Sequence, residues 1–174
     1  MVKSKYFLRL ADATFTPWIM RTIEACRPLL KMHQSGQWQG KEPSLKTIEN
    51  DTKNNNFFIF FEGQQPLGGV AILSHEPAYD HLLEGRWLND APYGVLHRFF
   101  IDPQFHGRKL SKIFLTFIEE YVWQQGVDNI RLDTHERNLP MRGLMQSMHY
   151  QEVGRVILPH AGERLVYHKV RKKT

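Results

Sequence analysis

Apolar positions along this chain alternate between two periods. Phe57 to Phe61 is an unbroken apolar run, and Leu67 to Leu73 is a second short one. Between them lies Glu62-Gly63-Gln64-Gln65-Pro66, so the pair predicts a hairpin. From Leu110 the spacing changes. Leu110, Ile113, Phe114, Phe117, Ile118 and Tyr121 recur at intervals of three and four, which predicts an amphipathic helix that Gly126 stops.

The same reading fills in the rest. Tyr6 to Leu10 reads as a strand. Thr16-Pro17 reads as N-cap and first helical position for a helix carrying Ile19, Ile23, Cys26 and Leu30. His33 to Gly40 is a loop. Ser44 caps a second helix through Leu45 and Ile48, ended by Asn54-Asn55-Asn56. Residues 77 to 92 form one long connection, a length that points to function. Val95 to Ile101 is the central strand, and Ile130 to Thr134 another. Leu139 to Met148 is a helix capped by Asn138, and Val153 to Leu158 and Leu165 to Val170 are the closing strands.

Composition narrows the class. A chain of 174 residues, 41% hydrophobic and 12% aromatic, is sized for one globular domain with its own core. No leader-like segment or membrane span is visible, so no membrane partner is expected. A single cysteine, Cys26, excludes an internal disulfide, and a cytoplasmic location is expected. The net charge is +5, and Arg171, Lys172 and Lys173 account for three of those charges. A solvated tail explains them better than a nucleic-acid contact, and no basic-aromatic alternation supports nucleic-acid binding. Nine histidines raise the question of a metal. His81-x-x-Glu84 has helix-face spacing, but with no third ligand in register no metal site is expected.

The stretch Leu96 to Ser111, LHRFFIDPQFHGRKLS, joins a strand, a short loop and a helix start. First-turn amides have no intrahelical partner and the helix dipole favours negative charge there, so a pyrophosphate-bearing ligand is predicted. Ile101-Asp102-Pro103-Gln104-Phe105-His106-Gly107 resembles the strand end and pyrophosphate loop of the GNAT superfamily of N-acetyltransferases. Arg131 to Gly154, RLDTHERNLPMRGLMQSMHYQEVG, resembles that family's next strand, Asn-started helix and following turn. His106, Lys109 and Ser111 depart from the family's Arg or Gln, Gly, and Gly or Ala. If residue 109 takes a positive φ, a lysine there costs about 1 kcal/mol or more, whereas a helical φ costs nothing. Arg108 and Lys109 add cationic side chains beside the expected diphosphate.

The resemblance implies an α/β fold with a mixed, mostly antiparallel central sheet flanked by helices. One domain is expected over 1–174, with 1–56 a variable acceptor-side part and 57–170 the cofactor-binding core. It implies acetyl transfer from acetyl-CoA to the amine of a small molecule or peptide, by direct attack in a ternary complex. The pantetheine arm would lie along the main chain of Phe99, Phe100 and Ile101, where an amide could stabilise the oxyanion. The cofactor set is completed by His106, Gly107, Arg108, Lys109, Leu110, Ser111 and Asn138, the last of which also reads as an N-cap.

An attacking amine must be neutral, so a base or water relay is needed. His97 is the first candidate, since an imidazole titrates near neutrality. Asp133, Glu76 and Glu62 are weaker ones. The family's acid, a tyrosine on the helix after Thr134, falls here at Met145. Tyr150 or Tyr93 would have to replace it, or the thiolate departs unassisted, which a thiol pKa of about 8–9 tolerates. Trp18, His33, Trp38, Tyr79 and Trp87 lie in segments expected to wall the acceptor site, and Glu76, Asp80 and Glu84 could draw a cationic amine. The altered loop and missing tyrosine leave a CoA-binding module without catalysis as the alternative. A homo-oligomer is left open.

Overall fold

A computed structural model describes residues 4–159 and 161–172. Lys173, part of the basic tail, lies outside the described residues. Among the described residues, eight strands and four α-helices run in the order β1 (Tyr6–Leu10), α1 (Thr16–Met32), α2 (Leu45–Lys53), β2 (Phe57–Glu62), β3 (Gln65–Leu73), β4 (Glu84–Gly85), β5 (Tyr93–Ile101), α3 (Leu110–Gln124), β6 (Asn129–Thr134), α4 (Leu139–Ser147), β7 (Gln151–Leu158) and β8 (Gly162–Val170). They form one mixed sheet of order β1-β2-β3-β5-β6-β8-β7-β4. Every pairing is antiparallel except β5 with β6.

The unbroken run in β2 follows from burial on both faces. Phe58 and Phe60 face the core under α3 and α4, with Phe114, Ile118 and Met145. Phe57, Ile59 and Phe61 face α1 and α2, against Ile19, Ile23 and Ile48. The Phe60 and Phe114 rings stack at 4.8 Å. A third, smaller cluster gathers Tyr79, Val95, Val156 and Val166 at the far end of the sheet.

Two local features differ from the sequence reading. Helix α1 is not capped by Thr16. Asp12 Oδ1 accepts the Thr14 N–H (2.9 Å) and starts a 3₁₀ turn over Ala13–Phe15, which leads straight into the helix. The long connection is also not structureless. Pro77–Asp80 makes a 3₁₀ turn, and Glu84–Gly85 adds the edge strand β4 beside Arg155 and Gly154. The two backbones meet so closely at Gly85 that a Cβ there would overlap the Val153 carbonyl oxygen. Two residues are too short a run for hydrophobic alternation to reveal.

The feature that positions the site is in β5. Gly69 pairs with Phe100, yet Ala71 pairs with His97, so β5 carries one extra residue there. This is a β-bulge, and Arg98 takes it up with a left-handed φ of 55°. As a result His97 and Phe100 point to the same side of the sheet. On the other side of β5, pairing with β6 ends at Leu96 and Leu132. Beyond that point the two parallel strands part.

Candidate active site

A groove of ≈ 1340 Å³ runs through this split, from the start of α3 to the loop that follows α1. At its outer end β5 stops at Ile101. Asp102 Oδ1 accepts the Gln104 N–H (3.1 Å) and opens the loop. Gly107 follows with φ 84° and open space where a side chain would stand. Lys109 then adopts φ 58°, ψ 24° immediately before α3. The lysine therefore holds a glycine-type conformation, at about 1 kcal/mol of strain. No side chain caps α3. Its first-turn amides are free to bind an anion, with the positive end of the helix dipole behind them.

The loop side chains divide. His106, Lys109 and Ser111 border the groove, together with Lys112, which the sequence reading passed over. The His106 imidazole is engaged, with Nε2 3.0 Å from the Ile101 carbonyl oxygen, and it fastens the end of β5. Arg108 turns away, since its Nη2 donates to Glu62 Oε2 (2.7 Å), a carboxylate that also pairs with Lys5 at 2.5 Å. Leu110 is buried in the core. The expected contacts of Arg108 and Leu110 side chains with a diphosphate, and of Glu62 with an amine, are therefore not what this geometry provides. Main-chain contacts at 107–111 remain open to a ligand.

Phe99, Phe100 and Ile101 line the groove as expected. Phe99 stacks on Phe114 at 4.9 Å and Phe100 packs against Trp18 and Trp38, so both rings anchor the strand. Past Leu96 the β6-facing edge of β5 has no strand beside it. An extended ligand can add there as a strand would. Asn138 behaves as an N-cap. Its Oδ1 accepts the Met141 N–H (3.3 Å), and its Nδ2 donates to Gln37 Oε1 (3.0 Å). Both ends of the amide are thus used within the protein.

At the centre of the groove stands His97. Its Nε2 lies 3.0 Å from Glu76 Oε2 and its Nδ1 3.8 Å from Asp133 Oδ1. Asp133 Oδ1 in turn accepts the Tyr79 hydroxyl (2.7 Å), and the Trp87 indole donates to the Tyr79 carbonyl (2.9 Å). The hydrogen bond from His97 holds the Glu76 carboxyl below the usual carboxylate range, aided by the Ala78 amide. Burial, reinforced by Asp133, pushes the Tyr79 phenol well above its usual value. Tyr79 therefore remains a proton donor to Asp133. It is buried beneath the site, so it positions Asp133 where direct substrate contact was expected.

Other candidates lie apart. Tyr150 is packed under α3 and α4 beside Lys169, and burial raises its phenol well above the ordinary range. It does not reach the groove, and neither does Tyr93, whose ring lies under the Arg131 guanidinium at 3.8 Å. Met145 is fully buried. No tyrosine borders the groove among the described residues, so a tyrosine acid at Tyr150 is corrected by its burial. Glu84 is exposed on β4 and pairs with Arg155 (3.0 Å), and Asp80 pairs with His75 (3.0 Å). Neither borders the groove. Trp87 packs against Tyr79, its ring tilted by 47°, and does not line the groove.

Trp38, Glu76 and His33 do line it. The loop carrying Trp38 is held by two residues that carried no sequence signal. The Arg27 guanidinium donates to the carbonyls of Trp38, Gly40 (3.3 Å), Glu42 (3.1 Å) and Pro43 (3.1 Å). Gln37 Oε1 accepts from Thr134 Oγ1 (3.2 Å) and from Asn138. The loop is thereby stapled to α1 at one end and to the start of α4 at the other. Arg98, the bulge residue, sends its Nε to 3.2 Å from buried Asp51.

The sheet thus splits between two parallel strands, over a helix with no side-chain cap and beside a histidine bracketed by carboxylates. Residues 23–150 match the model of the Acetyltransferase (GNAT) family, and the chain belongs to that family, whose members are acyl-CoA-dependent acetyltransferases. A GNAT acetyltransferase structure from Streptococcus agalactiae 2603 is similar over 97% of this chain and 96% of its own, at 33% identity and TM-score 0.88. RimL, a ribosomal L7/L12 α-N-protein acetyltransferase solved with coenzyme A, covers 98% and 97% at 13% identity and TM-score 0.69. An acetyltransferase from Salmonella typhimurium that modifies the N-terminal serine of L7/L12 covers 99% and 98% at 15% identity and TM-score 0.69. At those identities the last two share the fold. No curated protein sequence matches the chain. No helix among the described residues is long and apolar enough to cross a membrane.

Proposed function

We propose that this protein transfers an acetyl group from acetyl-CoA to the amine of a small molecule or peptide by direct attack in a ternary complex. The observation that carries this reading is His97, bracketed by Glu76 and Asp133 on the groove wall, at the start of the strand edge that lies free beyond Leu96. The residues present fit the donor. The free amides at 107–111 and the Lys109 ammonium suit a diphosphate, and the open edge of β5 at Phe99–Ile101 suits the amides of a pantetheine arm. When bound, acetyl-CoA supplies an activated thioester.

The chain's own residues manage protons. The amine forms the new C–N bond as the C–S bond breaks, and it must lose a proton. The His97 and Glu76 pair accepts that proton, directly or through one water. Tyr79 fixes Asp133, and Asp133 orients the imidazole. The sulfur leaves with the bonding electrons as a thiolate, with no tyrosine to protonate it, consistent with Met145 at the position the family gives to tyrosine. RimL and the Salmonella enzyme act on a protein N-terminus, which supports an N-terminal amine as one acceptor class.

The test is release of free CoA thiol from acetyl-CoA over a panel of amino acids, polyamines, aminoglycosides and short peptides, with a thermal-shift titration by acetyl-CoA alongside. Turnover with one amine class establishes the reading. Stabilisation by acetyl-CoA without turnover on any amine identifies a non-catalytic CoA module, and no stabilisation overturns both.

A further inference from the structure

Among the described residues, Arg164 is a buried arginine with no carboxylate in direct contact. It stands on β8 at 5% exposure and lines the groove, as well as a smaller cavity beside it. Its one hydrogen bond among the described residues is from Nη1 to the carbonyl of its neighbour Glu163 (2.8 Å), and no carboxylate of those residues lies within 4.0 Å. The other arginines of this region have an acidic or aromatic neighbour, although Arg98 Nη1 and Arg131 Nε are buried without a hydrogen-bond partner among the described residues. Arg155 holds Glu84, Glu136 and Glu163, and Arg98 holds Asp51. Arg131, the other buried one, donates to the Asn89 carbonyl (2.7 Å) and lies over the rings of Trp87 and Tyr93. Burying an always-charged guanidinium is costly unless it is paired, and burial does lower its proton affinity here, with only distant Asp133 opposing.

Register places this cation relative to the reaction centre. Asp133 pairs with Val166, so Arg164 lies on the same face of the sheet, two residues along β8. That spacing is about 7 Å at 3.3–3.4 Å per residue. The groove is therefore acidic at His97, where Glu76 and Asp133 meet, and cationic a short step away.

We propose that Arg164 is the anchor for a carboxylate on the acceptor, so that the acceptor is an amine bearing a carboxylate a few bonds from its nitrogen. The inference rests on the acetyl-transfer reading above and names the substrate class for it. A planar, five-donor guanidinium suits a carboxylate held through two parallel hydrogen bonds. The carboxylate comes either from a free amino acid or from an acidic side chain near a peptide N-terminus, and matched pairs separate the two.

The experiment compares acceptors that differ only in that group, at saturating acetyl-CoA. One arm sets α-amino acids against their α-carboxamides. The other sets Ser-Asp-Gly-amide against Ser-Asn-Gly-amide. The acid is expected to exceed its neutral partner in kcat/KM by about tenfold or more, chiefly through KM. R164Q should bring that ratio toward one, and R164K should restore part of it. Equal turnover of acid and amide in both arms overturns the inference, as does an acid preference that survives R164Q. Thermal shifts of the CoA-saturated protein with the same pairs read binding independently of chemistry. Should no amine turn over, the acetyl-transfer reading fails, yet a shift favouring the acid and lost in R164Q still supports the anchor. No shift from either arm, or equal shifts from acid and amide, overturns it. Since the wild-type comparison alone can overturn the proposal, misfolding of R164Q does not shield it.

Discussion

His97 and Glu76, 21 residues apart in the chain, meet at 3.0 Å between Nε2 and Oε2. Glu76 reaches this position from the residue that precedes the 3₁₀ turn Pro77–Asp80, and its other oxygen accepts the Ala78 N–H (3.1 Å). The carboxylate is thus fixed by backbone while it fixes the imidazole. General-base pairs of this kind contribute on the order of 10²- to 10⁴-fold. E76Q and H97A should each lower kcat/KM by about 10²-fold or more and keep the thermal shift produced by acetyl-CoA. Full activity in H97A with an unchanged pH–rate profile would remove His97 from the chemistry.

Lys109 allows charge and strain to be separated. K109A keeps the left-handed backbone strain and removes the ammonium, whereas K109G removes both. Gly relieves about 1 kcal/mol of strain but gains unfolded-state freedom of similar size. The Tm of K109G should therefore stay within about 2 °C of the parent, and that of K109V should fall by several degrees. Acetyl-CoA should bind about three- to tenfold more weakly to both K109A and K109G. Unchanged affinity in both would place the diphosphate elsewhere.

His168 gives a pH dependence with a definite sign. It is fully buried, accepts the Leu88 N–H at Nδ1 (3.1 Å) and donates from Nε2 to Asn129 Oδ1 (2.9 Å). Burial, with Arg131 adding to it, lowers its pKa from 6.5 to about 4. Above 6.5 the ring is neutral folded or unfolded, and its network contributes fully. Between 6.5 and 4 only the unfolded chain takes the proton, so stability falls, by up to about 3 kcal/mol once pH is below 4. Urea unfolding at pH 7, 5.5 and 4 should show a steeper loss for the parent than for His168→Asn. Parallel curves would contradict the neutral, buried assignment.

Cys26 borders the groove but is chemically quiet. Burial pushes its thiol up to about 12, with Asp102 as a lesser cause. The thiolate, not the thiol, is the nucleophile. At pH 8 the folded protein should react with an aromatic disulfide reagent no faster than it unfolds, and denaturant should release one thiol at once. Rapid labelling of the folded state would show that Cys26 is open to solvent.

Much of the architecture was legible because it is local. The 3–4 spacing of Leu110 to Tyr121 and the double-sided burial of Phe57 to Phe61 each write an element directly into composition, and α3, β2 and β3 follow. Gly107 and Asp102 marked the loop ahead of α3 for the same reason. Met145 was readable as a departure because position alone decided it.

What the sequence could not state were the relationships across the split. His97 faces the groove together with Phe100 because of a bulge at Arg98, which depends on the pairing of β5 with β3. Arg108, Glu84 and Tyr150 have the right chemistry for a site, but Glu62, Arg155 and the core under α3 and α4 claim them first. Arg27, Gln37 and Arg164 carry no motif, and their roles arise from carbonyls, a distant cap and a strand register. Periodicity along the chain determined which residues fold into helix and strand and which loop can cradle an anion. Tertiary packing alone decided which charged groups are paired, which are buried and which face the groove, because those outcomes depend on what a side chain meets from elsewhere in the chain.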